Sequence, residues 1–105
     1  MNKIMLGNAF SLQMLDTTVA QAVKVSPVSV QEVADADFVS VIGHADTANV
    51  VSGILDRKVE MNRQSVKLNR GDVLYVAQVV GGRLPEGATT LPEGVTLQLL
   101  KVELA

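Results

Sequence analysis

Apolar and polar positions change period several times along this chain. Lys3-Ile4-Met5-Leu6 is a short apolar run that Gly7-Asn8 interrupts, and it predicts a buried strand. Ala9 to Leu15 reads as a short helical turn. From Thr17 to Val25 β-branched residues accumulate, and Val19, Gln21, Val23 and Val25 partly alternate with their neighbours. That predicts a second strand, ended by Pro27. Ser29 and Glu32 have capping-box spacing, and Val28 and Val33 suit the accompanying hydrophobic staple, so a short helix should run to about Ala36. Phe38 to Ile42 is an apolar run closed by Gly43, which predicts a buried strand.

The strongest helical signal follows. Thr47, Val50, Val51, Ile54 and Leu55 fall at i, i+3, i+4, i+7 and i+8 and form one apolar stripe, with Asp46 as the expected cap. Further on, Ser65 to Leu68 and Val73 to Val80 read as strands joined by the turn Asn69-Arg70-Gly71-Asp72. Gly81 to Gly94 is rich in glycine and proline and reads as a loop, in which Leu-Pro-Glu-Gly occurs twice, at Leu84–Gly87 and Leu91–Gly94. Val95 to Leu104 alternates and predicts the last strand. The expected fold is mixed α/β or α+β: one domain over residues 1–105, with a roughly five-stranded mixed sheet and flanking helices.

Composition narrows what such a domain does. Aromatic residues are 3 % of the chain, which argues against stacking platforms for single-stranded nucleic acid. The net charge of -2 disfavours long duplexes, yet a few local cations suffice for a short anionic ligand in a pocket. Without cysteine, thiolate and disulfide chemistry are excluded, and with one histidine a zinc site lacks ligands, while oxygen-ligated magnesium stays open; no cofactor is expected. The first ten residues lack the apolar run of a signal peptide, and no stretch approaches the roughly 20 apolar residues of a membrane helix. The expected compartment is the cytoplasm, with no membrane partner.

Three places carry candidate chemistry. His44 stands between an apolar strand and a helix start, where free backbone N–H groups make a phosphate seat and an imidazole can deliver a proton near neutral pH. The plain alternative is a surface histidine bonded to a carbonyl. Asn8 and Ser11 stand in an analogous strand-to-helix junction, where they either bind a ligand or cap a turn. Arg83 and Glu86 share the glycine-rich loop, as a phosphate clamp with a carboxylate or as an ordinary solvated pair. Gln78 breaks an apolar strand and needs polar partners there.

Taken together, four ordered blocks resemble the viral ring nuclease family, the anti-CRISPR proteins that act against type III systems. The blocks are Lys3-Ile4-Met5-Leu6-Gly7-Asn8-Ala9-Phe10-Ser11, Ile42-Gly43-His44 with Thr47 and the helix to Leu55, Val66-Lys67-Leu68-Asn69-Arg70-Gly71-Asp72, and Arg83-Leu84-Pro85-Glu86-Gly87. The resemblance implies a compact α/β homodimer that binds cyclic tetra-adenylate across its two-fold axis. It implies metal-independent cleavage to short linear products, which silences the effectors that the messenger activates. It places the catalytic residues at His44, Arg83 and Glu86, and the ligand-binding residues at Asn8, Ala9, Phe10, Ser11, Gly43, Thr47 and Gln78. Two departures stand out: Val79-Val80-Gly81-Gly82 is inserted between Gln78 and Arg83, and the segment from Leu91 onward is strand-like where relatives are more helical. A non-catalytic cyclic-nucleotide sponge or sensor and a protein-interaction module are the competing readings.

Overall fold

The computed structural model describes residues 2–105. Among them the chain forms β1 (Ile4–Gly7), a 3-10 turn (Leu12–Met14), β2 (Val23–Pro27), α1 (Val30–Asp35), β3 (Val39–Ser40), α2 (Ala45–Leu55), β4 (Val73–Val80) and β5 (Thr96–Leu104). The strands make one five-stranded sheet in the order β2-β5-β4-β1-β3. β1 runs parallel to both β3 and β4, while β5 is antiparallel to β4 and β2. This is the mixed α+β domain that the patterning predicts.

The sheet has two differently covered faces. Successive residues of β4 point to opposite sides. Tyr75 and Ala77 join Leu6, Ile42, Val33, Val51 and Leu55 in the core beneath α1 and α2. Leu74 and Val76 join Met5, Val41, Leu68 and Val102 on the other face. No α-helix lies there among the described residues. Irregular chain and the 3-10 turn cover it instead, with Phe10, Met14 and Val66 packed against the cluster and the Leu68 N–H bonded to the Met14 carbonyl at 2.7 Å.

Several expected boundaries move, each for a reason. Ser65 to Leu68 is not a strand: its backbone has no ladder partner, and it serves as a lid on the second cluster. The strand expected over Thr17 to Val25 begins only at Val23, because the Asp16 carboxylate accepts the Thr18 N–H at 3.0 Å and folds the stretch into a local turn. Pro27 ends that strand from within, paired with Leu100, which an edge strand permits. The run from Phe38 to Ile42 contributes only Val39 and Ser40 to the sheet. Beyond them the Ser40 hydroxyl donates to the Glu60 carbonyl at 2.6 Å, so side-chain bonds rather than a further strand cover this edge. Half of the expected capping box forms: the Ser29 Oγ accepts the Glu32 N–H at 3.1 Å, while the Glu32 carboxylate turns to the Tyr75 hydroxyl instead of the Ser29 N–H.

Asn69 to Asp72 turns the chain into β4, and Asp72 is 1 % exposed. Its two carboxylate oxygens accept the Lys3 and Asn69 N–H groups, each at 2.9 Å. Burial raises the Asp72 pKa, but these two donors and the Lys3 ammonium outweigh it and hold the carboxyl below its ordinary 3.8. No helix among the described residues is long and apolar enough to cross a membrane.

Candidate functional site

β1, β3 and β4 are mutually parallel, so their carboxyl ends open at one end of the sheet. In open α/β sheets ligands bind outside those ends. The chain leaves β1 at Gly7 toward Asn8 and Ser11, leaves β3 toward Gly43 and His44, and leaves β4 at Val80 toward Arg83. All three candidate segments therefore converge there although they are far apart in sequence.

Hydrogen bonds set the relative positions of two of these loops. The Asn8 Oδ1 accepts the Gly43 N–H at 3.1 Å, so part of the Asn8 amide is committed to joining the β1 and β3 exits. His44, not Asp46, is the N-cap of α2, with extended backbone at φ -131° and ψ 129°. Its side chain makes no capping bond, which leaves the imidazole exposed and unspent. Asp46 lies in the first turn instead. Its Oδ1 accepts the Gly87 N–H at 3.1 Å, which fastens the long loop to the helix start. The first N–H groups of α2 point toward the same end and carry the positive end of its dipole.

His44 stands on the wall between two clefts. One, of about 430 Å³, is lined by His44, Asp46, Thr47, Val79, Arg83 and Leu84. The other, of about 370 Å³, is lined by His44, Gly43, Asn8, Ala9, Ser11 and Arg63, among others. A third recess of about 270 Å³ on the open sheet face holds Gln78 and Phe10 and shares Ala9 with the second cleft. The structure thus brings His44, Arg83 and Thr47 together, and His44 with Asn8, Ala9, Ser11 and Gly43. Gln78 and Phe10 lie one recess away. Glu86 is exposed and lines none of these three cavities.

Sequence reading missed Arg63 and Asp46. Arg63 belongs to an irregular polar stretch without periodicity, so nothing local marks it. Its stem crosses Gly43, with Cγ 3.5 Å from the point a Cβ there would occupy, which brings a second guanidinium to the histidine. Asp46 was read as a cap and proves to be a long-range acceptor. None of the ion pairs among the described residues involves His44, Arg63 or Arg83, so the two guanidiniums are not neutralised by a carboxylate contact. Nor do three His, Asp or Glu side chains converge on one point among those residues.

Fold and site together define a small α+β protein whose cleft lies at the carboxyl ends of parallel strands, with one histidine at a helix start and an arginine from the β4–β5 loop. The STIV B116-like family model matches residues 4–100, and the chain belongs to that family. Among solved structures it is similar to B116 of Sulfolobus turreted icosahedral virus, with a TM-score of 0.77 and 23 % identity over 97 % of this chain and 99 % of that one. That likeness carries the fold. A comparison with curated proteins finds no match. The ring-nuclease reading of the motifs rests on the residues and the cleft, not on these matches.

Proposed function

We propose that this protein is a metal-independent ring nuclease that cleaves cyclic tetra-adenylate or a related cyclic oligoadenylate, and so switches off type III CRISPR signalling. The observation that carries the reading is the meeting of His44 and Arg83 in one cleft at the start of α2. A ribose 2′-hydroxyl attacks its own 3′-phosphate in line. His44 protonates the departing 5′-oxygen, and the 2′-hydroxyl proton passes to water. The products are a 2′,3′-cyclic phosphate and a free 5′-hydroxyl. Arg83 clamps the phosphate and offsets its developing charge. Holding the ribose in line supplies much of the rate. Glu86 lies outside the cleft, so this reading leaves it on the loop rather than among the reacting atoms.

A homodimer belongs to the same proposal, because a symmetric ring suits a two-fold axis. The open sheet face supports it: Val25 is 55 % exposed and Val80 43 % exposed, beside the recess that holds Phe10 and Gln78. The outward position of Glu86 favours one second reading, a sponge that binds the ring and leaves it intact.

Labelled cyclic tetra-adenylate incubated with the protein in excess chelator separates these readings. Linear products support the nuclease, and bound intact ring supports the sponge. A ring lacking the 2′-hydroxyl at the cleaved linkage should bind and survive; its cleavage would show that water attacks instead.

A further inference from the structure

The loop between β4 and β5 uses its Leu-Pro-Glu-Gly motif twice, and the two copies build the same turn. The Ala88 N–H bonds to the Pro85 carbonyl at 3.0 Å, and the Val95 N–H to the Pro92 carbonyl at 3.1 Å. Gly87 and Gly94 occupy the third turn positions with φ of 78° and 80°. In turns of this kind the N–H of the third residue is left out of the turn's own bond. In the second copy the turn leads directly into β5. In the first copy that spare N–H goes to the Asp46 Oδ1 at 3.1 Å. The loop then continues along α2, where the Thr89 carbonyl lies 3.9 Å from the Cβ position of Gly53. It is therefore laid across the helix at two points, and Arg83 enters it just before the first.

Asp46 is also the one carboxylate lining the cleft that holds His44 and Arg83. A carboxylate there repels an anionic ligand, so its presence needs a compensating role. We propose that Asp46 is a positioning residue: by accepting the Gly87 N–H it pins the loop across the start of α2 and sets Arg83 opposite His44. This rests on the reading of His44 and Arg83 as the reacting pair. A charge that merely complements the α2 dipole would be lost equally in Asp46→Ala and Asp46→Asn. A positioning acceptor is lost only in Asp46→Ala, because asparagine keeps a carbonyl oxygen for Gly87.

The test compares wild type, Asp46→Ala and Asp46→Asn as full chains, with thermal melts confirming that each is folded. Trypsin cleavage after Arg83, followed by mass spectrometry, reports how firmly the loop is held. Asp46→Ala should be cut about threefold to tenfold faster, the effect of one lost hydrogen bond at an exposed site, while Asp46→Asn is cut at close to the wild-type rate. In ring turnover, Asp46→Ala should lower kcat. Asp46→Asn should keep kcat and lower KM, because it removes the repulsion and retains the acceptor. In an Arg83→Ala background, Asp46→Ala should lower kcat no further, since its effect on kcat acts through Arg83. Equal protease rates for wild type and Asp46→Ala overturn the tether. Wild-type turnover in Asp46→Ala, or an Asp46→Asn that falls with it, overturns the positioning role. If the wild type leaves the ring intact, the nuclease reading fails by itself, and the tether stands or falls on the protease rates.

Discussion

The two ends of the parallel strands β1 and β4 are built on opposite terms. At the amino end the chain is tied and its polar groups are paired. Asp72 is buried and accepts the Lys3 and Asn69 N–H groups, and the Val73 N–H bonds to the Lys3 carbonyl at 2.9 Å. At the carboxyl end the side chains that matter are not paired off. The His44 side chain does not cap its own helix, and neither Arg63 nor Arg83 forms an ion pair among the described residues. Unsatisfied donors and uncompensated charge cost stability where they are buried, but at an open cleft they are available to a ligand. The amino end is therefore built for stability, and the carboxyl end leaves its side chains free for the ligand proposed above.

The sharpest way to break that comparison is His44→Ala. It should slow ring cleavage by at least about a hundredfold while ring binding and melting temperature survive. A variant that cleaves normally removes His44 from the chemistry, and one that unfolds makes this end structural after all.

Arg83→Ala should cost about a hundredfold or somewhat more in kcat, by analogy with the loss of one charge-stabilising donor. Its melting temperature should stay close to wild type, since an exposed arginine contributes little to folding. Calorimetry beside single-turnover kinetics checks both halves.

At the opposite end the expected effects reverse. Asp72→Ala strands two backbone donors and should cost about 1–3 kcal/mol of stability, with little change in turnover per folded molecule. Because the folded-state pKa of Asp72 lies below its unfolded 3.8, its contribution is complete above that pH and disappears as pH falls through the lower value. Urea titrations from neutral pH downward should therefore show wild type losing stability in that acid range and Asp72→Ala losing less.

The smallest effect concerns the helix-covered face. The Tyr75 hydroxyl donates to the Glu32 Oε2 at 2.9 Å. Burial, and then the Glu32 carboxylate, push its pKa up from 10.0 to about 12. A raised folded-state value means that the stabilisation is intact below pH 10.0 and is lost as pH climbs toward 12. Tyr75→Phe should cost about 1 kcal/mol at neutral pH and flatten that alkaline decline.

The elements legible in the sequence are those whose signal is local. The i, i+3, i+4 stripe from Thr47 to Leu55 became α2, and Ser29 caps α1 through the Glu32 N–H. The apolar run from Val73 to Val80, broken only by Gln78, became β4, whose residues Leu74 to Ala77 are buried on both faces of the sheet. His44, Asn8, Ser11 and Arg83 could be singled out because each residue type sits beside a strand end or in a loop, and that much is written in sequence order.

What tertiary structure alone decided depends on partners distant in the chain. Ser65 to Leu68 had the residues of a strand but no neighbouring edge to pair with, so it became packing for the open face. Arg63 reached the cleft because the coil that carries it passes over Gly43, which no periodicity announces. Glu86 lies outside the cleft, on a turn whose Gly87 N–H is held by Asp46, a contact between a helix and a loop that are far apart in sequence. Local propensity is set by a few neighbouring side chains and can be read from them. The meeting of Arg83 with His44 depends on the parallel pairing of β1 with β3 and β4, and that pairing exists only once the sheet has formed.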